Sequence, residues 1–484
     1  MLWFTFISSP FYDKVVSISI KLENSHEVQN NIQIDEPINT FGIATFNRVQ
    51  LCNSPFIPGN KWVLLINDRG LIKDIDNNGL NDIVFITADS NNNGFGVVRI
   101  AYQTSLGNFN CVPVGNQTRY LPYGLVVGDF NSDGRFDIAN ANAMSRTVNI
   151  LINLGNGNFK DTTISNPLFG FLNHISAYGS DIYFTEEGFR FFRYNYLTKT
   201  LSVIDDFIGM DRPCHEGLSL ADLNNDGRVD FVCSSGNTFV NHEGAVYYRL
   251  NQGNTWSSRY YLTIQHYYHG VTTGDINKDG RADIVSCTRW NDGVNRGLIS
   301  IRMNQGGNPI NFQSINVPIV YNLSSCELKI ADLDCDGDND IVWASGDSVY
   351  SNPLGWLENL GNNNWSPQII ENSPYRVYGL DVGYVNADKK PDIVVGLNNR
   401  LYVYYNTTNV NDNNCTPITP VSIDEGDVFE LKDNVVVFKS RHNYWIYRTD
   451  GSLYKSGFDN KVFLEKGIFI LRVKGKSFKL LLRR

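Results

Sequence analysis

The 484-residue sequence is poor in charged residues, which make up 19% of it. It also has no apolar run near the roughly 18 to 20 residues that a membrane-spanning helix needs, so no such helix is predicted. Asn and Gly are abundant instead, with 59 and 41 residues, and both disfavour helix interiors and favour turns. Because 42% of the residues are hydrophobic and 13% are aromatic, a disordered chain is excluded and an all-β fold is predicted.

Recognisable catalytic motifs are also missing. His242 and Glu243 do not open a zinc-protease motif, because Val246 stands where the second histidine would be required. The sequence has no Gly-x-Ser-x-Gly elbow and no phosphate-binding glycine loop. It therefore offers no recognisable enzyme.

The eight cysteines include no Cys-x-x-Cys pair. An even number fits disulfides in an exported protein, but eight cysteines allow about 105 pairings. The cysteines alone therefore leave both the pairing and the compartment open.

A nine-residue acidic phrase recurs along the chain, with the pattern Asp-x-(Asp/Asn)-x-(Asp/Asn)-Gly-x-x-Asp followed by an apolar strand. Five intact copies start at Asp74, Asp129, Asp222, Asp275 and Asp332. A sixth copy starts at Tyr384, which replaces the first Asp, and has Lys389 in place of the Gly. Inside the longest gap, residues 179–184 look like the end of a repeat whose loop has lost its ligands. The chain therefore contains seven repeat units.

Each unit of about 50 residues contains four predicted strands, with the acidic phrase between the first and the second. Four short strands per repeat, arranged radially, are typical of a propeller blade, so the repeats predict a seven-bladed β-propeller. A strand within residues 41–66 is expected to complete the last blade, because closing the ring removes exposed edges.

The acidic phrase and the Asp-Ile-Val that follows it resemble the FG-GAP or VCBS repeats of bacterial surface proteins, which also occur in integrin α-subunit heads. The resemblance covers about residues 60–405. It implies a propeller that binds or displays at a cell surface.

The spacing within the phrase predicts a metal site. Positions 1, 3, 5 and 9 carry carboxylate or amide oxygens, the Gly at position 6 permits a sharp turn, and position 7 can add its backbone carbonyl. Six to eight hard oxygen ligands favour Ca²⁺ over Mg²⁺ or Zn²⁺. An EF-hand is excluded, because it needs a Glu at position 12. That position is held by Phe85, Asn140, Cys233, Ser286 and Trp343.

About five calcium sites are therefore predicted, and the alternative is that the loops are only Asn/Asp-rich turns. The predicted ligands are Asp74, Asp76, Asn78, Leu80 and Asp82; Asp129, Asn131, Asp133, Arg135 and Asp137; Asp222, Asn224, Asp226, Arg228 and Asp230; Asp275, Asn277, Asp279, Arg281 and Asp283; Asp332, Asp334, Asp336, Asp338 and Asp340. Asn386, Asp388 and Asp392 remain as a weak site in the sixth copy. Clustered carboxylates repel one another, so calcium is expected to stabilise the fold.

The composition changes near the end of the chain. Residues 406–420 read as a polar linker, and residues 421–484 carry 13 Lys/Arg against 8 Asp/Glu and read as a small β-sandwich. Its strand order, Asp-Gly turn, Lys-Ser-Gly and basic terminus resemble the sorting domain of type IX secretion, although the usual opening Asn-Pro is absent; a generic small β-domain is the alternative. The resemblance implies export to the surface of a Gram-negative bacterium. Residues 1–13 are then expected to be a leader remnant, or else an ordinary first strand, and residues 14–405 the propeller.

A possible ligand face lies at the opposite end of the innermost strands. Four of its residues stand six positions before an acidic loop, one stands beside them, and one lies in a loop between second and third strands that shares this face. These polar and aromatic residues suit sugars or peptides. They are Tyr123, His215, Glu216, His269, Trp290 and Tyr378. The alternative is that these residues only pack between blades.

The sequence therefore predicts an exported, monomeric, calcium-binding propeller that binds an extracellular glycan or protein, contacts the type IX export machinery through residues 421–484 and binds no nucleic acid. A calcium-dependent polysaccharide lyase, with His215, Glu216, His269 and Tyr378 as the acid and base, is the first alternative. A purely structural cell-surface component is the second.

Overall fold

The computed structural model describes the chain from residue 44 onwards, with gaps. The described residues are 44–52, 61–64, 70–89, 95–120, 122–186, 190–206, 214, 216–235, 244–264, 268–288, 297–319, 326–345, 352–373, 377–397, 400–409, 415, 429–432, 435–438, 444–448, 453–457, 461–463, 467–473 and 476–482. The predicted leader, His215, Trp290 and the side chain of Tyr378 lie outside this description. The described part contains no helix with the length and apolar character needed to cross a bilayer.

Seven antiparallel sheets follow one another along the chain, and their first strands neighbour one another around a ring. Blade 1 contains β2 (Lys61–Leu64), β3 (Ile72–Lys73), β4 (Asp82–Asp89), β5 (Phe95–Ser105) and β6 (Asn108–Tyr120). Blade 2 contains β7 (Pro122–Gly128), β8 (Asp137–Asn142), β9 (Thr147–Gly155) and β10 (Asn158–Ser165). Blade 3 contains β11 (Leu172–Tyr178), β12 (Asp181–Glu186), β13 (Arg190–Asn195) and β14 (Thr200–Asp206). Blade 4 contains β15 (Gly217–Ala221), β16 (Asp230–Ser235), β17 (Ala245–Arg249) and β18 (Tyr260–Thr263). Blade 5 contains β19 (Tyr268–Gly274), β20 (Asp283–Thr288), β21 (Leu298–Asn304) and β22 (Phe312–Pro318). Blade 6 contains β23 (Cys326–Ala331), β24 (Asp340–Ser345), β25 (Asn352–Asn359) and β26 (Trp365–Ser373).

Blade 7 closes the ring with strands from both ends of the propeller. It contains β27 (Val377–Gly383), β28 (Asp392–Leu397), β29 (Arg400–Asn406) and the N-terminal β1 (Phe46–Leu51). Strand β1 pairs antiparallel with β29, from Phe46 opposite Asn406 to Leu51 opposite Leu401. The seven-bladed all-β propeller, and its completion by a strand from within residues 41–66, are thus confirmed.

The core lies between the blades, and the strand after each acidic loop is its centre. The described strands β8, β16, β20, β24 and β28 are buried along their whole length, whereas the outer strand β10 alternates between exposed and half-buried residues. Large aromatic residues fill the gaps between blades, among them Trp356, which is 1% exposed. Trp356 lies on β25, and its ring packs against apolar residues of the neighbouring blade.

The described residues of the C-terminal region form two further sheets. One has the order β30, β31, β34 and the other β33, β32, β35, β36. The strands are β30 (Phe429–Lys432), β31 (Val435–Phe438), β32 (Tyr444–Arg448), β33 (Leu453–Gly457), β34 (Lys461–Phe463), β35 (Gly467–Val473) and β36 (Lys476–Leu482). Two antiparallel sheets are what the predicted small β-sandwich contains.

Candidate metal centre

Each intact acidic loop turns through two residues with left-handed backbone, at positions 4 and 6. In blade 2 these are Ser132, with φ of 60°, and Gly134, with φ of 86°. A Cβ on Gly134 would meet no atom within 4 Å, so glycine is required here by backbone conformation and not by lack of space. In blade 7 Lys389 adopts the same conformation at position 6, with φ of 61°, so the damaged copy keeps the turn.

The oxygens at positions 1 and 3 accept hydrogen bonds from the turning backbone. In blade 2, Asp129 Oδ1 accepts the Asp133 N–H at 3.0 Å and its Oδ2 accepts the Gly134 N–H at 2.8 Å. Asn131 Oδ1 accepts the same Asp133 N–H at 3.1 Å. The loops of blades 4 and 5 repeat these bonds. The side-chain oxygens are thereby directed into the loop, where a cation with oxygen ligands would bind.

The carboxylate at position 9 anchors two segments of backbone. Asp137 is fully buried; its Oδ2 accepts the Phe130 N–H at 2.9 Å and its Oδ1 accepts the Asn153 N–H, on the third strand of the blade, at 2.8 Å. Five other position-9 residues make the same pair of bonds, at 2.7–2.9 Å. They are Asp82, Asp230, Asp283, Asp340 and Asp392. The residue type predicted to close the metal site therefore also fixes the loop to its blade.

Burial makes these carboxylates hard to ionise without a cation. It raises the pKa of Asp137, Asp230 and Asp283 to about 7 against the opposing effect of their backbone hydrogen bonds, and neighbouring loop carboxylates add to the rise. In blade 6 the pKa of Asp334 is raised to about 7 by burial and then by Asp336. A bound cation would lower the pKa of these carboxylates, because it favours their ionised form.

Two loops bring three carboxylates together. Oxygens of Asp74, Asp76 and Asp82 in blade 1 lie within 4.8 Å of one another, and so do oxygens of Asp332, Asp334 and Asp336 in blade 6. Among the residues that the structure describes, no other group of three or more acidic, histidine or cysteine residues meets this distance.

The blade-6 loop has the donor set that best fits a divalent cation. It holds five aspartates, and Asp334, 2% exposed, has a buried Oδ2 without a hydrogen-bond partner. Position 4 of this loop is Cys335, which forms a disulfide with Cys415, their Cα atoms 4.0 Å apart. A buried carboxylate oxygen without a donor is costly unless a cation binds it.

The arginines at position 7 were predicted only to add a backbone carbonyl. In blades 2, 4 and 5 their side chains form an ion pair with the position-5 aspartate instead, as Arg135 does with Asp133. The sequence pattern does not predict this contact, because it depends on how the arginine folds back over the loop.

Sequence reasoning also missed the residues that join four of the loops to the next blade around the ring. Asn153, at the end of β9, donates from Nδ2 to the carbonyl of Ile75 in the blade-1 loop at 2.8 Å. Asn304, Asn406 and Gln103 make the corresponding bonds to Leu223, Leu333 and Val385. A signal is present at two of these four positions, since Asn153 and Asn304 each begin an Asn-x-Gly.

Blade 3 replaces the acidic loop with a short turn between β11 and β12. Tyr178 pairs directly with Asp181 there. Asp181 accepts hydrogen bonds from Arg193 and Asn195, each at 2.7 Å. This blade therefore lacks the acidic loop, and the aspartate at its turn pairs with a cationic side chain of the third strand.

The weak site in blade 7 keeps part of the hydrogen-bonding pattern. Asn386 Oδ1 accepts the Asp388 N–H at 3.1 Å, and Asp392 anchors the backbone as in other blades. A cavity of about 280 Å³ beside it is lined by Tyr384, Asn386, Ala387, Lys389 and Cys415. Because Tyr384 supplies no carboxylate and Lys389 adds a positive charge, this loop is a poor cation site.

The predicted ligand face is only partly assembled by the described residues. His269 Nε2 lies 3.2 Å from Glu216 Oε2, and both side chains are about nine-tenths buried between blades 4 and 5. Tyr123 is half-buried and packs edge-on against His174 at 6.5 Å. Burial of the Glu216–His269 pair favours a role between blades over a role in acid–base catalysis.

The eight cysteines form four disulfides, and none is free. The pairs are Cys52–Cys111, Cys214–Cys233, Cys287–Cys326 and Cys335–Cys415. Three of them join strands or loops within the propeller, and the last joins the blade-6 loop to the segment after β29. The pairing that the sequence left open is decided here by which strands the fold brings together.

A family model described as an FG-GAP-like repeat matches residues 74–140, 214–286 and 332–395. These three segments contain all six copies of the acidic phrase. These segments of the chain are similar to FG-GAP-like repeats. No curated protein matches its sequence.

Solved structures similar to the chain include YCF48 from Cyanidioschyzon merolae. It is 10% identical, with a TM-score of 0.44, and the alignment covers 75% of this chain and 99% of that one. The WD40 β-propeller domain of Doa1 is 12% identical, with a TM-score of 0.43, and the alignment covers 72% of this chain and 98% of that one.

Proposed function

We propose that this propeller is an exported, calcium-stabilised module for binding or display at a cell surface. A propeller with FG-GAP-like repeats is a binding or structural module, and the calcium, the export and the ligand class are the proposed additions. The observation that carries the proposal is the acidic loop repeated between the first two strands of five blades, with its oxygens directed inward.

Calcium is proposed as the cation because the loops offer only hard oxygen ligands. Positions 1, 3 and 5 would hold it, with position 9 contributing where its carboxylate is within reach, as Asp82 is in blade 1. When bound, Ca²⁺ would neutralise the clustered carboxylates and link the first two strands of a blade. The unpartnered Oδ2 of Asp334 supports this assignment for blade 6.

A calcium titration of the metal-free chain tests the assignment. About five ions are expected to bind per chain, since five loops are intact. Asp334→Asn should remove or weaken one of them, while Asp206→Asn, on the outer strand β14, should change neither number nor affinity. Fewer than two bound ions in the unaltered protein would contradict the proposal.

Export is supported by the four disulfides, which persist in oxidising compartments. The resemblance of residues 421–484 to a type IX sorting domain supports the surface of a Gram-negative cell as the destination. In such a host, deletion of residues 421–484 is expected to retain the protein inside the cell. If fractionation finds the truncated protein outside in unchanged amount, the sorting role is wrong.

The ligand is proposed to be a glycan or a protein that contacts the blade ends opposite the loops. Half-buried Tyr123 supports this, since the exposed part of an aromatic ring can contact a sugar or a side chain. On arrays of polysaccharides and matrix proteins, Tyr123→Ala and Trp290→Ala should each lower binding at least about tenfold. Binding that survives both substitutions would place the ligand elsewhere.

A further inference from the structure

Three intact loops share an arginine that contacts the loop and the third strand at once. Arg135 Nη2 donates to Asp133 Oδ2, and its Nε donates to the backbone carbonyl of Asn153 at 2.8 Å. In blades 4 and 5 the corresponding Nε bonds measure 2.6 and 2.7 Å. The groups there are Arg228 with Asp226 and Asn251, and Arg281 with Asp279 and Asn304.

The other two intact loops have no cationic side chain at position 7. The residue there is Leu80 in blade 1 and Asp338 in blade 6. These are also the two loops in which three carboxylates lie within 4.8 Å of one another. The five loops thus divide into two electrostatic classes. The division follows two positions, because blades 1 and 6 have Asp at position 3 and no arginine at position 7, whereas blades 2, 4 and 5 have Asn at position 3 and Arg at position 7.

We infer that Arg135, Arg228 and Arg281 are tethered counter-ions that lower the calcium affinity of their own loops. The inference rests on the proposed calcium binding. In the metal-free loop the guanidinium neutralises the position-5 carboxylate and holds the turn against the third strand. A calcium ion in that loop meets a fixed positive charge beside one of its ligands, so it binds less tightly than in blades 1 and 6.

The expected size of the effect follows from solvent exposure. The three arginine side chains are 36%, 45% and 35% exposed, so water and salt screen their charge. We expect each arginine to weaken its site by about threefold to tenfold at low ionic strength, and by less in high salt. Blades 1 and 6 should therefore fill first as calcium is raised.

The test is a calcium titration of the full chain against a competing chelator dye. The triple variant Arg135→Leu/Arg228→Leu/Arg281→Leu uses leucine because Leu80 stands at position 7 of blade 1. Its three altered loops should bind calcium about threefold to tenfold more tightly. The reverse change is Leu80→Arg made together with Asn78→Asp, which supplies the position-5 carboxylate. It should weaken one site by a similar factor relative to Asn78→Asp alone. Lys160→Leu, on the outer strand β10 of blade 2, removes the same charge away from the loop and should have no effect.

Melting temperature provides a second measurement. The triple variant should melt below the unaltered protein in EGTA, because the counter-ion is lost, and the difference should shrink or reverse in saturating calcium. Weaker binding by the triple variant would mean that the arginines position the aspartates for calcium, and would overturn the inference. The inference would also be overturned if the triple variant kept the calcium affinity of the unaltered protein and lost the same melting temperature in EGTA and in calcium.

Two outcomes separate this inference from the proposed function. If the unaltered protein binds no calcium, the proposed function fails and the inference with it. If it binds calcium and Asn78→Asp/Leu80→Arg has the same affinities as Asn78→Asp, only the inference fails. This pair of variants changes one loop, so it gives the answer even if the triple variant does not fold.

Discussion

Removal of calcium with EGTA is expected to lower the melting temperature of the chain by more than about 10 °C. Each saturated site that exists only in the folded state adds about 2.7 kcal/mol at a hundred times its dissociation constant, and several such sites are proposed. Without the cation the loops hold clustered carboxylates, including Asp334 with its unpartnered buried oxygen. Differential scanning calorimetry in calcium and in EGTA measures the difference.

The pH dependence provides the control for this prediction. Burial raises the folded-state pKa of Asp137, Asp230 and Asp283 to about 7, whereas an unfolded Asp has a pKa of about 3.9. Between these values the folded metal-free protein binds more protons than the unfolded chain, so its stability should rise as pH falls from 8 towards 5. In calcium, protons compete with the metal, so stability should fall over the same range.

Two results would contradict the metal role. One is an EGTA melt within about 2 °C of the calcium melt, since that corresponds to less than one occupied site. The other is the same direction of pH dependence with and without calcium. Magnesium at equal concentration should restore little of the lost stability, because it requires a tighter octahedral geometry than these flexible loops offer.

Asp381→Ala is expected to destabilise the propeller by about 4 kcal/mol. Asp381 lies on β27 in the last blade and is 1% exposed. Its Oδ2 accepts the N–H groups of Leu71 and Ile72 in the first blade, so one carboxylate bonds both sides of the ring closure. Alanine would leave two buried donors unsatisfied and remove the charge that faces Lys329 and Lys73.

The Asp381→Asn variant separates these two contributions. Its amide oxygen can still accept the N–H groups, but it carries no charge, so we expect about half of the loss. Urea unfolding of each variant in saturating calcium keeps the metal loops constant. Asp206→Asn, an exposed aspartate on β14, is the control and should unfold as the parent does. A loss below about 1 kcal/mol for Asp381→Ala would show that strand pairing alone closes the ring.

Much of the fold was predictable because its signals are local. The acidic phrase combines a glycine that tolerates left-handed backbone with aspartates that cap the turn, so nine residues suffice to define the loop and the strands on either side. Repetition of that unit then predicts the blade count, and the exposed edge of the last blade predicts an N-terminal strand. Each of these steps needs only neighbours in sequence.

The contacts of the candidate site were less predictable. The two backbone partners of Asp137, the bond from Asn153 to the preceding blade and the ion pair of Arg135 all join segments from different strands. The pairing of His269 with Glu216 similarly depends on the packing of blade 4 against blade 5. Spacing along one strand carries no information about such partners.

By itself the sequence determined the repeat unit, its oxygen-rich loop, the number of blades and the all-β class, because turns and strand alternation are set by residues close together in the chain. Only the tertiary structure decided which cysteines pair, which position-7 side chains contact the loops, and that Asp381 bonds across the ring closure. Those outcomes depend on distances between blades, and such distances exist only after the ring has closed.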